Sequence, residues 1–505
     1  MKLHPLSVVY RTGASVTRLA WIAVVGAVSS SQFDRFGVAV AGLLALVVLA
    51  AFAYQVVYVR RFDYQPTADT FDLRSGVVSR RTREIPYRRV QNVDVSRNVL
   101  QRVLGIAELR VETAGGGETE IRLRYVSHAE AERLQQEIGR RKRGTDGDDE
   151  DAATAEPSVQ QLFAITPKEL LLLGLVRVDL RLLSFVTVLL PVIIPSVSNR
   201  FPLVDLLQAA PALLVGVVLL ALVISSLRAV TGYYGFELGR DETELRYRRG
   251  LGQEYSGTIP LDKVQSVVVS ESALARLLGY ASLSVETAGY APGTDGTGSQ
   301  SAVPIADRDR VFRLAREVES FGDLAFERPP KRARTRYAIR YSLGVALLAG
   351  LGVAIARLFP FPVPVPGYAP LVLLPLAPVA AHLKWTQIGF ALGASHVVAR
   401  EGFWTRQTRV VPYYRVQTLV ESATVFQRRR NLATLVVDTA GAQGIGSADA
   451  RALDIDGDRA GELRQELESR FETALTAART DDAVSPAADG IDSTVTPGSA
   501  PSAGE

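Results

Sequence analysis

The 505-residue chain has no cysteine and only four histidines. The first absence excludes a disulfide-stapled exterior domain, a thiol nucleophile and thiolate metal ligands. The histidines, His4, His128, His382 and His396, lie in separate segments, and none belongs to a His-Glu-x-x-His helix or a nucleophile-base pairing. No phosphate-binding loop is present either. The glycine-rich "TAGGG" at 113 to 117 lacks the following Lys-Ser/Thr and reads as a hairpin turn. These gaps point away from enzyme chemistry, and no metal or cofactor is expected. A basic face interleaved with aromatics is also missing. The pI near 9.2 reflects arginines bordering apolar segments, so nucleic acid is not an expected partner.

Long apolar runs, by contrast, are abundant. Hydrophobic residues make up 47% of the chain and bunch in pairs. The run "FGVAVAGLLALVVLAAFAYQVVYV" at 36 to 59 has no charge and meets the roughly 20 residues that a helix needs to cross the hydrocarbon. A shorter run precedes it at 19 to 31. Further pairs fall near 168 to 197 and 203 to 227, and near 337 to 358 and 368 to 388, giving an expectation of six spans in three hairpins. A cleaved signal peptide is the rival reading of the first run, but it leaves five spans and puts the first of the segments between the pairs on the opposite face from the others. Basic residues cluster on one side of the hairpins, at Arg60, Arg61, 140 to 143 and 331 to 336, which places that side and both termini in the cytoplasm.

Between the apolar pairs the chain repeats itself. "EIPYRRVQNVDVSRNVLQRVLGIAELRVETAGG" at 84 to 116 returns as "TIPLDKVQSVVVSESALARLLGYASLSVETAGY" at 258 to 290 and "VVPYYRVQTLVESATVFQRRRNLATLVVDTAGA" at 410 to 442. Gly76 to Gly250 and Gly115 to Gly289 are both offset by 174, and Gly250 to Gly402 and Gly289 to Gly441 both by 152, so the three copies align without a gap. Such periods exceed those of solenoid repeats and mark three small domains. Within a copy, 90 to 96 and 107 to 113 alternate apolar and polar residues as half-buried strands do. The stretch "NVLQRVLG" has helical spacing, and Ser127 with Glu130 opens a closing helix through a capping box.

The motifs "IPxxxVQxV" and "LGxAxLxVETAGG", recurring after paired apolar segments, resemble those of the bacterial pleckstrin-homology-like polytopic membrane proteins. The resemblance runs from "LHPLSVVYR" to about Arg470 and implies α+β modules: three pleckstrin-homology-like β-barrels, each closed by a C-terminal helix, carried on membrane helical hairpins. It implies no reaction. Copy three departs most, with "RRRN" at 428 to 431 and Asp438 in place of Glu. The resulting division is a hairpin at 1–59, a module at 60–143, an acidic linker at 144–160, a hairpin at 161–231, a module at 232–322, a basic linker at 323–336, a hairpin at 337–388, a module at 389–473 and a disordered tail at 474–505.

The repeated residues are Pro86, Gln91, Arg102, Glu112 and Gly115, then Pro260, Gln265, Arg276, Glu286 and Gly289, then Pro412, Gln417, Arg428, Asp438 and Gly441. The prolines and glycines are expected at strand starts and turns, the glutamines on backbone groups, and the acid of each copy in an ion pair with its own arginine. Around the prolines, copy one carries Arg80, Arg81, Arg83, Arg88 and Arg89, and copy three keeps Arg406, Arg409 and Arg415, whereas copy two has mostly other residues. Those arginines are the candidate contacts to anionic membrane lipids. The expected role is non-enzymatic display of binding modules to lipid or to a membrane or cytoplasmic protein. The alternative is a transporter or channel that uses charges within the spans, such as Arg177, Asp179 and Arg181.

Overall fold

Each repeat starts with a turn that only glycine fits. Gly76, Gly250 and Gly402 have φ of 116°, 104° and 116°. A Cβ on them would lie 1.9, 1.9 and 1.8 Å from the carbonyl oxygens of Ser79, Gln253 and Thr405. In this computed structural model, residues 7, 33–113, 121–142, 160–177, 203–287, 300–358, 366–440 and 449–484 are described, with backbone alone for 33–45, 91, 142, 203–214, 217, 300 and 477–484. The first apolar run, the acidic linker before Gln160, Asp179 and Arg181, and the turn glycines Gly115, Gly289 and Gly441 lie outside the described residues.

Module 1 follows helix α1 (Phe33–Arg60). Its strands are β1 (Asp63–Pro66), β2 (Thr70–Ser75), β3 (Arg81–Pro86) and β4 (Val90–Asn98), then helix α2 (Val99–Val103), β5 (Ile106–Thr113), β6 (Ile121–Ser127) and closing helix α3 (His128–Lys142). A short strand, β7 (Gln160–Ala164), then precedes α4 (Pro167–Val176) and α5 (Leu203–Tyr233). Module 2 comprises β8 (Glu237–Arg240), β9 (Glu244–Arg249), β10 (Gln253–Pro260), β11 (Val264–Ser272), α6 (Ala273–Leu277), β12 (Tyr280–Thr287), β13 (Gln300–Asp307) and α7 (Arg308–Val318). After α8 (Lys331–Leu358) and α9 (Leu376–Thr386), module 3 repeats the order with β14 (Gly389–Leu392), β15 (His396–Glu401), β16 (Thr405–Pro412), β17 (Val416–Ser422), α10 (Val425–Arg428), β18 (Leu432–Thr439), β19 (Ala450–Asp456) and α11 (Gly457–Val484).

The strands expected at 90 to 96 and 107 to 113 are β4 and β5. Their alternation sends Val93, Val95, Leu109 and Val111 into the module core under Leu134 and Ile138 of α3. Half of the expected capping box opens α3, a 3.2 Å bond from the Glu130 N–H to the Ser127 hydroxyl, while the Glu130 carboxylate accepts from Arg133 and Tyr64. The three short helices also carry caps, from Asn98, Ser272 and Thr424.

The barrels require correction. The six strands of a module divide at its proline, where a single 3₁₀ turn separates β3 from β4, β10 from β11 and β16 from β17. The sheets run β1-β2-β3, then β6-β5-β4-β10-β9-β8-β7, then β13-β12-β11-β16-β15-β14, then β17-β18-β19. The second half of module 1 therefore shares a sheet with the first half of module 2, and modules 2 and 3 are joined in the same way. A strand edge pairs once, so an edge given to the next module is not available to close a barrel within its own.

Helices α1 and α5 cover two of the expected spans, whereas the third hairpin differs from the expectation. Among the residues whose side chains are described, one helix, Lys331–Leu358, is long and apolar enough to cross a membrane, and the described parts of α1 and α5, Leu46–Arg60 and Val218–Tyr233, are shorter apolar helices. The partner of Lys331–Leu358 expected at 368 to 388 is a 3₁₀ turn, Ala369–Leu373, followed by the 11-residue α9, with Pro370 in the turn and Pro375 at the N-cap of α9. Strand β7 lies inside the region assigned to the second hairpin and pairs with β8. Helix α4 packs on α5, with the Ser226 hydroxyl donating to the Gly174 carbonyl at 2.7 Å. Helix α11 continues past 473 to Val484.

Candidate functional site at the module boundaries

Both boundaries are antiparallel strand pairs at matching repeat positions. At the first, Gln253 to Ser256 of β10 pair with Asn98 to Val95 of β4. At the second, Thr405 to Val410 of β16 pair with Ser272 to Val267 of β11. Subtracting the repeat offsets shows one register: Glu254 opposite Arg97 matches Arg406 opposite Glu271.

The charges at that pair of positions are reversed between the two boundaries. Arg97 donates to Glu254 at 2.6 Å, and Arg102 joins the same carboxylate at 2.8 Å. Burial alone raises the Glu254 carboxyl, but the hydrogen bonds from Arg97 and Arg102 hold it below the usual range. At the second boundary the acid is on the other strand. Glu271, with a side chain 1% exposed, takes Arg406 at 2.6 Å and Arg308 at 3.1 Å. Burial and the nearby Arg406 lower the Arg276 guanidinium.

Three residues along, the boundaries differ in kind. Arg409 of β16 reaches Glu286 and the Ser266 hydroxyl, with Val268 opposite in register. The matching positions at the first boundary are Gly257, Glu112 and Asp94. A Cβ on Gly257 would lie 2.2 Å from Asp94 Oδ1 and 2.6 Å from the Tyr247 hydroxyl, and the ladder ends there. Burial pushes the Asp94 carboxyl up to about 6. Burial and the neighbouring Asp94 push Glu112 up to about 7. Glu112 therefore has no arginine of the next module where Glu286 has Arg409.

This geometry redistributes the sequence candidates. The pairing of Glu112 with Arg102 and of Glu286 with Arg276 is not what forms: Arg102 crosses to Glu254, and Glu286 takes Arg409. The candidate lipid contacts of copy three are corrected as a set. Arg406 and Arg409 bind Glu271 and Glu286, and Arg415 donates to the Asp262 carbonyl while stacking on Tyr414, so all three face module 2. Arg80, Arg81, Arg83, Arg88 and Arg89 of copy one are exposed. Pro86, Pro260 and Pro412 end their strands ahead of the 3₁₀ turns. Gln265 is buried and reaches its neighbour Lys263 carbonyl at 3.4 Å, whereas Gln417 and Arg428 are exposed and Asp438 is half-buried. Sequence reasoning missed Glu254, Glu271, Arg97 and Gly257, although the sign reversal between copies was readable at constant spacing.

A second shared feature is apolar and exposed. The short helices show Val99, Leu100 and Val103 in module 1, Leu274 and Leu277 in module 2, and Val425 and Phe426 in module 3. Val103, Leu277 and Phe426 are 78%, 82% and 68% exposed. Helices α2 and α10 each connect to the end of an apolar helix, and the strand leading into α6 does so in module 2. Arg102 of α2 donates to the Leu251 carbonyl at 2.9 Å, and the Leu251 N–H donates to Thr231 of α5 at 2.8 Å. Beside α6, Arg406 bridges Glu271 to Gln387, the residue following α9. In module 3, Gln427 of α10 donates at 2.8 Å to Asp454, which also accepts from Arg336 and Tyr337 of α8. Trp404, in the turn before β16, is 74% exposed.

Split modules of this sort, each following an apolar helix, define a membrane-associated PH-like array, and the comparisons agree. The bacterial PH domain family matches three times, over residues 17–142, 182–321 and 344–471, and the chain belongs to that family. It is similar to the UPF0699 transmembrane protein YdbT of Bacillus subtilis (strain 168), at 26% identity over 465 residues, covering 86% of this chain and 91% of that protein. No solved structure matches.

Proposed function

We propose that the protein is a non-enzymatic, multi-pass membrane scaffold whose three modules form one continuous platform against the cytoplasmic leaflet. The observation that carries this reading is the set of large apolar side chains exposed on the short helix of every module, with Leu100, Leu274 and Phe426 at matching repeat positions. Large apolar side chains exposed on one repeated element mark an interaction surface. Beside membrane helices the surface they fit is the headgroup and acyl boundary, where tryptophan such as Trp404 also sits well. The earlier assignment of lipid contact to copies one and three by their arginines gives way to contact by all three modules through α2, α6 and α10. The similarity to a transmembrane protein and the apolar helix Lys331–Leu358 support the membrane placement, and the basic flanks support the cytoplasmic side.

The absence of cysteine makes the test clean. Spin labels on Val103→Cys, Leu277→Cys and Phe426→Cys in the full chain, reconstituted in vesicles containing anionic lipid, report immersion through their relative accessibility to oxygen and to a water-soluble nickel complex. All three are expected to be shielded from nickel, with a label at exposed Glu132 as the aqueous reference. Labels at all three positions that match Glu132 would refute the platform's contact with lipid.

A further inference from the structure

The array uses one pairing twice and leaves its two halves unmated at the ends. The edge strand before the proline is paired in modules 2 and 3 through β10 and β16, but β3 of module 1 ends its sheet. The strand after the proline is paired in modules 1 and 2 through β4 and β11, but β17 of module 3 ends its sheet. Exposure follows. Thr82, Arg83 and Glu84 of β3 are exposed where their counterparts Thr408, Arg409 and Val410 are buried. Likewise Gln417, Thr418, Val420 and Glu421 of β17 are exposed where Gln265, Ser266, Val268 and Val269 are buried.

We propose that β17 of one chain pairs with β3 of a second copy, in the register already used at both internal boundaries, so that the protein assembles head to tail in the membrane. Applied to these strands, that register sets Arg81 opposite Ser422 and Arg83 opposite Val420, as Gln407 faces Ser270 and Arg409 faces Val268. The chemistry of the second boundary is then reproduced. Arg83 stands at the position of Arg409, and Asp438 stands at the position of its partner Glu286. Arg80 replaces Arg406, with Glu421 on the same strand face as Ala423, the residue that occupies the Glu271 position. The sequence discriminates against another choice: β4 of module 1 on β3 of a second copy would set Arg97 against Arg80, two like charges at the pair that carries Arg97 with Glu254 and Glu271 with Arg406. A heterologous contact of this kind generates a ring or an open filament. An unpaired edge strand is the template such pairing needs.

Cysteines test it in the full chain in isolated membranes under mild oxidation. Arg81→Cys with Ser422→Cys in one chain is expected to give a ladder of crosslinked oligomers, while separately tagged single variants expressed together stop at a dimer. Ser96→Cys with Tyr255→Cys, the matched internal pair, should crosslink within the chain and serves as the control for reactivity and folding. Leu419→Cys with Arg81→Cys, on opposite strand faces, should not form the ladder. Arg83→Glu is expected to weaken the ladder several-fold, and Asp438→Arg added to it to restore most of it. The proposal fails if the internal pair closes but the end pair gives no interchain product, or gives only a crosslinked monomer. It also fails if a fluorophore at Arg81→Cys is quenched by headgroup-labelled lipid with no ladder, which assigns the basic edge to the membrane.

Discussion

The two internal boundaries pair the same strands in the same register, yet they are held differently. The second has six laddered positions, from Val267 to Ser272. Val398 and Val410 of module 3 also enter the core cluster of module 2. The first has four, from Val95 to Asn98, and module 1 keeps a core of its own. The ladder ends where the half-buried Asp94 fills the space above Gly257, in place of the Val268 and Arg409 that continue it at the other boundary. Here a reversed ion pair with a polar stop makes each boundary specific for its own neighbours.

The largest effect is expected at Glu271. Its carboxylate is buried and serves two arginines, so Glu271→Ala should weaken the second boundary by about 3 kcal/mol, read as faster amide exchange in β11 and β16. The double change Glu271→Arg with Arg406→Glu installs the charge order of the first boundary and should recover more than half of the loss. Failure to recover would mean that the sign reversal is not an exchangeable unit.

At the first boundary, Gly257→Ala pushes a methyl group against Asp94 and Tyr247, and about 1 to 2 kcal/mol of destabilisation is expected. Asp94→Ala should relieve most of it. Equal destabilisation with and without Asp94 would place the strain elsewhere.

The same two positions predict a pH dependence confined to the first boundary. Folded-state values of about 6 for Asp94 and about 7 for Glu112 lie above those of the unfolded chain. Between about pH 4 and 7 the folded state therefore binds more protons, and stability falls as pH rises through that window. Exchange at Gln253 to Ser256 should quicken from pH 5 to pH 7.5 after correction for intrinsic rates, and Asp94→Asn should flatten the change. A dependence unaltered by that substitution would assign the titration to another group.

The smallest effect is expected for Glu254→Gln. Its carboxylate is partly solvated and pairs with Arg97 and Arg102, so about 1 kcal/mol or less is expected, declining with added salt. A loss as large as that at Glu271 would erase the contrast between the boundaries.

Much of the interior of a module was legible in sequence because its signals are local. The alternation of Val93, Val95, Leu109 and Val111 gave strands, and Ser127 with Glu130 gave a helix start. The boundaries were not, since a strand edge looks alike whether it pairs within its own module or with the next. Treating the repeats as separate domains led to an Arg102–Glu112 pair and to lipid-facing Arg406 and Arg409, whereas the partners lie 152, 135 and 123 residues away. The short helices were visible from their spacing, but exposure of Val103, Leu277 and Phe426 follows from what does not pack on them, which no local pattern encodes.

Hydrogen exchange on the full chain, with one molecule per nanodisc, tests most directly whether the modules form one continuous body. The account predicts that amides of Gln253 to Ser256 and Thr405 to Val410 that point toward the neighbouring module are protected to the same order as those inside β5 and β12. Those at the outer edges of β3 and β17 should exchange far faster. Exchange at both internal boundaries as fast as at the two outer edges would contradict it and return the protein to three separately tethered modules.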